Sequence, residues 1–242
     1  MRLVCGMQPV REAIRARGPE LEKILIAKGE GADGPQLDAL SRFAVDHGVL
    51  VERTTRAELD RLTKGAKHQG ALAWAPELTV VPLDELTMGP RGLLIALDEL
   101  QDPQNFGAIV RSAVALGRAA VMWPEHRSAP LSAAMFRASA GAVEHARLCR
   151  VPSLTAALTE AVANGVQVVG LDPQADRALR ELDLKQPTLL VLGSEGEGMG
   201  RSVRRSLSTT ARLAQSGRIG SLNASVAAAI ALYEASNQRV TT

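Results

Sequence analysis

The sequence predicts an α/β protein built from two units. Short apolar strands alternate with amphipathic helices along most of its 242 residues, a pattern typical of sheets covered by helices. The alternation stops in the stretch 76–91, which contains three prolines, and proline-rich stretches of this kind mark linkers. The length also exceeds that of one ordinary domain of about 100–200 residues. We therefore expect an N-terminal α/β unit at 1–75, a linker at 76–91 and a larger α/β unit at 92–242.

The N-terminal unit combines helical and strand periods of hydrophobicity. Apolar residues spaced three and four apart predict helices, whereas short apolar or alternating runs predict strands. The expected helices are 8–17, 35–48 and 55–62, and the expected strands are 22–27, 49–54 and 69–75. Gly48 is expected to end the second helix, because glycine is favoured just beyond a helix end.

The larger unit contains near-continuous apolar strands, which indicate a parallel sheet with helices on both faces. The expected strands are 93–98, 119–123, 166–171, 188–193 and 209–214, and the expected helices are 104–116, 131–140, 153–163 and 221–237. Ligands of such sheets bind beyond the carboxyl ends of the strands. Functional residues are therefore expected at the junctions that follow these strands.

Composition excludes several classes of protein. Lys and Arg total 28 against 26 Asp and Glu, which excludes a histone-like polycation. Three Phe, two Trp and one Tyr are too few for a surface that stacks several RNA bases on aromatic rings. Two cysteines and four scattered histidines predict neither a metal site nor a disulfide framework. Without a signal-type segment or an apolar run of about 18 residues, we expect a soluble, cytoplasmic protein that does not bind membranes.

The first informative junction is D-E-L-Q-D-P-Q-N-F-G-A-I-V-R, residues 98–111. An acidic loop follows the strand 93–98, Asn105 opens the next helix, and Arg111 lies about one and a half turns further on. Asn105 is a candidate cap of this helix, and Arg111 is either a surface cation or a functional one.

The second junction, 189–200, has four glycines in eight positions directly after a buried strand. Glycines allow backbone groups to approach a ligand closely. The segment is not a P-loop, because Met199 and Gly200 stand where Lys and Ser or Thr are required. It is not a dinucleotide fingerprint either, because Arg201 replaces the last small residue and no acid occurs at 201–220. The loop therefore either binds another ligand or forms a tight turn.

The third junction begins the C-terminal helix with Ser221, Leu222 and Asn223. Serine is a favoured N-cap, so we expect Ser221 to cap the helix. A run of alanines gives this helix a small-residue face for close packing on the sheet or on another subunit. A buried helix explains this face, but it does not explain the polar residues at the helix start.

Taken together, the three junctions resemble the SpoU branch of the knotted SPOUT methyltransferases. The shared motifs are N-F-G-A-I-V-R at 105–111, G-S-E-G-E-G at 193–198 and S-L-N-A-S-V-A at 221–227. The N-terminal segments C-G-M-Q-P-V-R-E-A-I and G-A-K-H-Q-G-A-L-A, at 5–14 and 65–73, are similar to the ribosomal-protein-like RNA-binding domain of bacterial 23S rRNA guanosine-2'-O-methyltransferases. The resemblance thus covers nearly the whole chain.

This resemblance implies an activity and a set of site residues. It implies S-adenosyl-L-methionine as methyl donor, a ribose 2'-hydroxyl of RNA as acceptor, a C-terminal trefoil knot, and a homodimer whose sites take residues from both subunits. The positions that match the catalytic set are Asn105, Arg111, Glu195, Ser221 and Asn223. The positions that match cofactor contacts are Gly193, Gly196, Gly198, Leu213 and Leu222. The chain departs from the family at 213–215, where Leu-Ala-Gln replaces Ile-Pro-Met, a change expected to loosen the cofactor loop.

Two hypotheses concern mechanism and RNA contact. Arg111 is expected to hold a phosphate beside the target ribose and to stabilise the developing alkoxide, with Glu195 accepting the proton or orienting Arg111. RNA is expected to contact two cation-rich segments, which comprise Arg201, Arg204, Arg205, Arg212 and Arg218, and Arg53, Arg56, Arg61, Lys64 and Lys67.

Several alternatives remain open at this point. Within the same class, the chain is either a 23S rRNA enzyme, as the N-terminal unit favours, or a tRNA or resistance-type rRNA 2'-O-methyltransferase. A catalytically idle RNA-binding homologue is the alternative that the change at 213–215 suggests. A dinucleotide-dependent oxidoreductase is disfavoured by the missing fingerprint.

Overall fold

The computed structural model describes residues 1–28, 34–86, 92–117, 119–194, 196, 198–215 and 220–240. The chain divides into two compact units. The first unit comprises 1–78 together with the segment 139–145, and the second comprises 79–138 and 146–242.

The first unit is a four-stranded mixed sheet with helices. Its elements are β1 (Arg2–Cys5), α1 (Met7–Arg17), β2 (Lys23–Ala27), α2 (Gly34–Asp46), β3 (Val51–Thr54), α3 (Arg56–Thr63) and β4 (Ala71–Ala75). The strand order is β1-β4-β2-β3, with β4 antiparallel to both neighbours and β2 parallel to β3. The helices and strands expected in this unit are therefore present, and β1 is an additional strand that the sequence analysis did not predict.

Apolar side chains on the helices and the sheet form the core of the first unit. Val10 and Ile14 of α1, Leu37 of α2 and Ile24 and Leu72 of the sheet are completely buried. Their positions follow the helical and strand spacing of the sequence, and burying each such side chain contributes about 1.5–3 kcal/mol.

The second unit contains a seven-stranded parallel sheet, which confirms the expected α/β class. Its elements are β5 (Val80–Val81), β6 (Leu93–Leu97), α4 (Pro103–Ser112), β7 (Ala120–Pro124), α5 (Ala133–Ala138), β8 (Leu148–Val151), α6 (Leu154–Ala163), β9 (Gln167–Leu171), β10 (Thr188–Leu192), α7 (Arg201–Arg205), β11 (Thr209–Ala211) and α8 (Ala224–Val240). The strand order is β11-β9-β10-β6-β7-β8-β5. The trefoil knot implied by the resemblance stays a prediction.

The second unit differs from the sequence-based expectations at several elements. Part of the expected linker 76–91 forms β5, which pairs in parallel with β8. The strand β8 and the helix α7 were not expected, because each is only four or five residues long and short runs carry little periodicity. The helix expected at 104–116 changes at Ala113 into a π-helical turn that ends at Gly117.

Neither unit offers a membrane-spanning element in the residues that the structure describes. No helix there is both long enough and apolar enough to cross a bilayer.

A buried ion pair holds the segment 139–145 within the first unit. The Arg2 guanidinium donates to the Glu144 carboxylate and, through Nε, to the Pro76 carbonyl at 2.9 Å. Arg17 Nε lies 3.6 Å from the same carboxylate. Both members of the Arg2–Glu144 pair are buried, so each charge depends on its partner for the stabilisation that water would otherwise supply.

Glu144→Ala should lower the free energy of unfolding by about 3–5 kcal/mol, because it removes the buried carboxylate that the Arg2 guanidinium contacts. Urea denaturation followed by circular dichroism measures this loss. Glu20→Ala is the matched control: Glu20 is exposed and lies 3.9 Å from Arg17, so its loss should stay below about 1 kcal/mol. Equal losses for the two variants would show that the buried pair has no special role.

Candidate cofactor and active site

A cavity of about 680 Å³ lies at the carboxyl ends of β9, β10 and β11. Its wall is apolar where it includes Leu171, Leu192, Leu213 and Leu222, and polar where it includes Asp172, Gln174, Ser194, Ser221 and Asn223. This is the edge of a parallel sheet where ligands usually bind, and the volume lies in the range of small-molecule sites, about 300–1,000 Å³.

The cavity brings together seven of the ten candidate residues. Its lining includes Gly193, Gly196, Gly198, Leu213, Ser221, Leu222 and Asn223. Among the described residues that line it, neither Asn105 nor Arg111 appears. Glu195 lies outside the described residues.

The glycine-rich loop is held by a close backbone crossing at Gly193. A Cβ atom at this position would lie 2.3 Å from the Gly198 carbonyl carbon and 2.4 Å from the Met199 nitrogen. Ser194 and Gly198 exchange two backbone hydrogen bonds of 3.1 Å, which close the loop on itself. Gly193 is therefore required by the backbone around it, and the tight turn and the cavity wall are the same structure.

Asp98 anchors the far end of this loop. The residue follows β6, its backbone N–H donates to the Leu192 carbonyl, and its Oδ2 accepts a 2.8 Å hydrogen bond from the Gly200 N–H. Burial raises the pKa of Asp98 above its usual value, while the Gly200 N–H acts in the opposite direction by favouring the charged form. Asp98 thus fixes the loop by a contact that the sequence analysis missed.

Asp172 and Arg204 form an ion pair in the cavity wall. Arg204 Nη1 donates to Asp172 Oδ2, and Arg204 Nε donates to the Met199 carbonyl at 3.2 Å. The hydrogen bond from Arg204 lowers the pKa of Asp172, so this carboxylate stays charged at the cavity. The pair also escaped the sequence analysis, although Asp172, like Asp98, is the first acid after an apolar strand, which was an available signal.

Asn223 caps α8 and connects it to α4. Its Oδ1 accepts hydrogen bonds from the N–H of Ser225 at 3.0 Å and of Val226 at 3.3 Å, and its Nδ2 donates to Asn105 Oδ1 at 3.0 Å. The expectation that Ser221 caps this helix is therefore wrong, since α8 begins at Ala224. Ser221 is instead exposed in the cavity wall.

Asn105 is likewise not the cap of its helix. Asp102 caps α4 through the N–H groups of Gln104 and Asn105, with Pro103 as the first helical residue, a position that proline favours. Asn105 is buried and contacts Asn223, so the structure joins two of the candidate residues across 118 positions of sequence.

Several described cations of the two arginine-rich segments make contacts within the fold. Arg204 binds Asp172, Arg212 donates to the carbonyls of Ala175 and Asp176, Arg53 pairs with Asp38, and Arg61 pairs with Glu58. These four arginines already make contacts within the protein, so an RNA ligand would have to compete for them. The exposed cations of these segments include Arg201, Arg205, Arg56, Lys64 and Lys67. Arg218 lies outside the described residues.

Comparison with models of protein families shows to which family this chain belongs. Residues 92–233 match the model described as "SpoU rRNA Methylase family", and residues 3–80 match "RNA 2'-O ribose methyltransferase substrate binding". The chain belongs to the SpoU methyltransferase family. It is therefore an RNA 2'-O-methyltransferase, composed of a substrate-binding region and a SpoU methylase region.

Three SpoU-type relatives illustrate the range of the similarity. An uncharacterized tRNA/rRNA methyltransferase of Mycobacterium ulcerans is 40% identical over 242 residues, covering 98% of this chain and 77% of the relative. The AdoMet-bound rRNA methyltransferase of Sinorhizobium meliloti has a TM-score of 0.76 at 25% identity, covering 96% of this chain and 85% of the other. The TrmH/SpoU tRNA modifying enzyme of A. aeolicus has a TM-score of 0.56 at 27% identity, covering 66% and 81%.

The cavity fits S-adenosyl-L-methionine, the cofactor of this SpoU enzyme. The leucine side chains of the lining would give the adenine an apolar wall, and the glycine-rich loop would present backbone groups to the cofactor. Asp172 places a carboxylate in the wall, where Arg204, which also lines the cavity, offsets its charge. Leu213 and Gln215 both line the cavity, so the Leu-Ala-Gln segment forms part of the wall despite its departure from the family.

Gly193→Ala should abolish cofactor binding, because the added methyl group forces the Gly198–Met199 peptide out of place. Isothermal titration of S-adenosyl-L-methionine into each protein measures the effect. Gly200→Ala is the control from the same loop, since its Cβ would lie at an ordinary 3.6 Å from Asp98 Oδ2, and it should bind nearly as well as the parent. Unchanged affinity in Gly193→Ala would mean that the crossing does not shape the site.

Proposed function

We propose that this SpoU enzyme methylates the ribose 2'-hydroxyl of a guanosine in 23S rRNA. The observation that carries the choice of rRNA is the extent of the structural similarity. The Sinorhizobium rRNA methyltransferase aligns with 96% of this chain, whereas the A. aeolicus tRNA enzyme aligns with 66%. The N-terminal motifs at 5–14 and 65–73, which resemble those of 23S rRNA guanosine-2'-O-methyltransferases, support the same substrate.

The chain's own residues act mainly by positioning. S-adenosyl-L-methionine supplies a methyl group activated on a sulfonium, and the remaining requirement is a 2'-oxygen held in line with it and relieved of its proton. Asn223 fixes the start of α8 and, through Asn105, its distance from α4. Ser221 and Leu222 directly precede this cap and line the cavity. The Asn105–Asn223 hydrogen bond therefore positions the segment that faces both cofactor and ribose.

Arg111 is the residue that supplies positive charge to the RNA. A guanidinium stays protonated in proteins, so Arg111 holds a phosphate beside the target ribose and stabilises the developing alkoxide. Glu195 is the carboxylate that accepts the proton or orients Arg111. In other enzymes, removing one preorganised group of this kind lowers kcat by a factor of about 10²–10³.

The active form is a homodimer in which Arg111 serves the partner's cavity. Arg111 is exposed on α4 and is not among the described residues that line its own cavity. Val226, Ile230 and Tyr233 lie on one face of α8 with 45%, 43% and 59% of their surface exposed, and exposed apolar patches of this kind mark protein interfaces. Because α8 begins at the cavity, a partner docked on this face lies close to the site.

The substrate is tested by incubating the protein with methyl-labelled S-adenosyl-L-methionine and unmodified transcripts of 23S rRNA or tRNA. We expect label in the 23S transcript at one guanosine, found as a 2'-O-methyl group by resistance to alkaline cleavage. Label in tRNA alone would show that the substrate is tRNA and not 23S rRNA. Cofactor binding without label in either RNA would indicate an idle homologue.

The shared site is tested by mixing two inactive variants. Arg111→Ala removes the guanidinium, and Asn223→Ser removes the amide contact to Asn105 while keeping an oxygen that can cap α8. Each variant alone should lose about 10²-fold or more in kcat. Because a mixed dimer contains one intact composite site, mixing should restore a measurable part of the activity. Without any gain on mixing, Arg111 would belong to the site of its own subunit.

A further inference from the structure

Asp98 holds both ends of the glycine-rich loop 193–199. Its backbone N–H donates to the Leu192 carbonyl at 2.8 Å, just before the loop, and its Oδ2 accepts a 2.8 Å hydrogen bond from the Gly200 N–H, just after it. Leu192 and Gly198 line the candidate cofactor cavity, whereas Asp98 is not among the described residues that line it. The carboxylate therefore lies behind the loop that forms the cavity wall.

The Asp98 carboxylate is buried and has no cationic partner among the residues that the structure describes. The residue is only 6% exposed, and the Gly200 N–H is the neutral donor that it contacts. Burial raises the pKa of Asp98, and the charge of Glu99 acts in the same direction. A buried charge of this kind costs free energy, so its presence points to a role beyond packing.

Asp172 provides the contrast at the same edge of the sheet. It also follows an apolar strand, but it contacts Arg204, and this contact lowers its pKa. Both residues line the cavity, so their charges offset each other there. The charge of Asp98 is not offset by a cation in the described part of the chain. Charges enclosed by protein are weakly screened, so the Asp98 carboxylate acts on the cavity across the loop.

Methyl transfer changes the charge of the cofactor that occupies such a cavity. The bond between the sulfonium sulfur and the methyl carbon breaks, and its electron pair stays on sulfur. The methyl carbon bonds to the ribose 2'-oxygen, which gives its proton to a base. S-adenosyl-L-methionine therefore carries one positive charge more than its product, S-adenosyl-L-homocysteine. A fixed negative charge near the cavity stabilises the bound sulfonium but has no such charge to stabilise in the thioether.

We propose that Asp98 is a specificity-determining residue, whose buried charge favours binding of S-adenosyl-L-methionine over S-adenosyl-L-homocysteine. Asp98 acts across the glycine-rich loop and does not touch the cofactor. Because the electrostatic stabilisation is lost when the methyl group is transferred, the product leaves and fresh cofactor enters. The inference depends on the cofactor of this SpoU enzyme and not on the proposed rRNA substrate.

The first test measures the affinity of the full chain for both ligands by isothermal titration at mildly alkaline pH, where the carboxyl is ionised. Asp98→Asn removes the charge but keeps an oxygen that can accept from the Gly200 N–H. It should weaken binding of S-adenosyl-L-methionine several-fold and leave binding of S-adenosyl-L-homocysteine nearly unchanged. Sinefungin, which carries an ammonium group in place of the methylated sulfonium, should lose affinity as S-adenosyl-L-methionine does.

Glu99→Gln is the matched control for this titration. It removes a charge of the same sign from the neighbouring residue, but Glu99 pairs with Arg127 at 2.9 Å and its side chain is 40% exposed. The ratio of the two affinities should therefore stay at the parent value. Asp98→Ala removes both charge and acceptor, so it should weaken both ligands while changing their ratio by the same factor as Asp98→Asn. Circular dichroism confirms that each variant is folded.

Three outcomes would overturn the proposal. Equal weakening of both ligands in Asp98→Asn would show that Asp98 supports the loop without distinguishing the ligands. An unchanged ratio in either neutral variant would exclude a role for the charge. A change of ratio in Glu99→Gln as large as that in Asp98→Asn would reduce the effect to general surface charge. Because the titrations contain no RNA, they give the same answer whether the enzyme methylates 23S rRNA or tRNA.

The second test examines product release during methylation of the RNA that the enzyme accepts. In Asp98→Asn, S-adenosyl-L-homocysteine should become a stronger inhibitor relative to the KM for S-adenosyl-L-methionine. The ratio of inhibition constant to KM should fall by the same factor as the affinity ratio in the titrations. A ratio that stays at the parent value would contradict a role of Asp98 in product release.

Discussion

The backbone crossing at Gly193 is the constraint on which the candidate cofactor site depends. The chain leaves β10 at this residue and passes so close to the Gly198–Met199 peptide that no side chain fits between them. Three further contacts fix the glycine-rich loop around this crossing. The Ser194–Gly198 bridge closes the loop, Asp98 binds the Gly200 N–H, and Arg204 binds the Met199 carbonyl. The wall of the cavity thus depends on the close approach of two backbone segments, at Gly193 and at Gly198–Met199.

Two acids and one arginine connect this crossing to the sheet. Asp98 follows β6, and Asp172 follows β9 and pairs with Arg204. Since β10 lies between β6 and β9 in the sheet, the glycine-rich loop is fixed from both neighbouring strands. A methyltransferase gains from such fixing, because positioning of reactants accounts for a large share of the acceleration in transfer reactions.

The sequence predicts the architecture well and the local contacts less well. The long amphipathic helices and apolar strands of both units are found where hydrophobic spacing places them, because burial is periodic in sequence. Helix caps are less predictable, since Ser, Asp and Asn are nearly equivalent as caps. Serine is a favoured cap residue, so Ser221 is a plausible cap by type. Asn223 caps α8 instead, and its amide also reaches Asn105 on α4. That contact is set by tertiary structure and has no signature in local sequence.

The same limit applies to charge. Net charge and the arginine-rich segments are properties of the sequence, but the use of each cation depends on its neighbours in the fold. Arg53, Arg61, Arg204 and Arg212 make intramolecular contacts, so counting cations overestimates the surface that faces RNA. A net charge of +2 is therefore a poor measure of RNA affinity, because the contacts that each cation makes within the fold decide how much of its charge an RNA phosphate can reach.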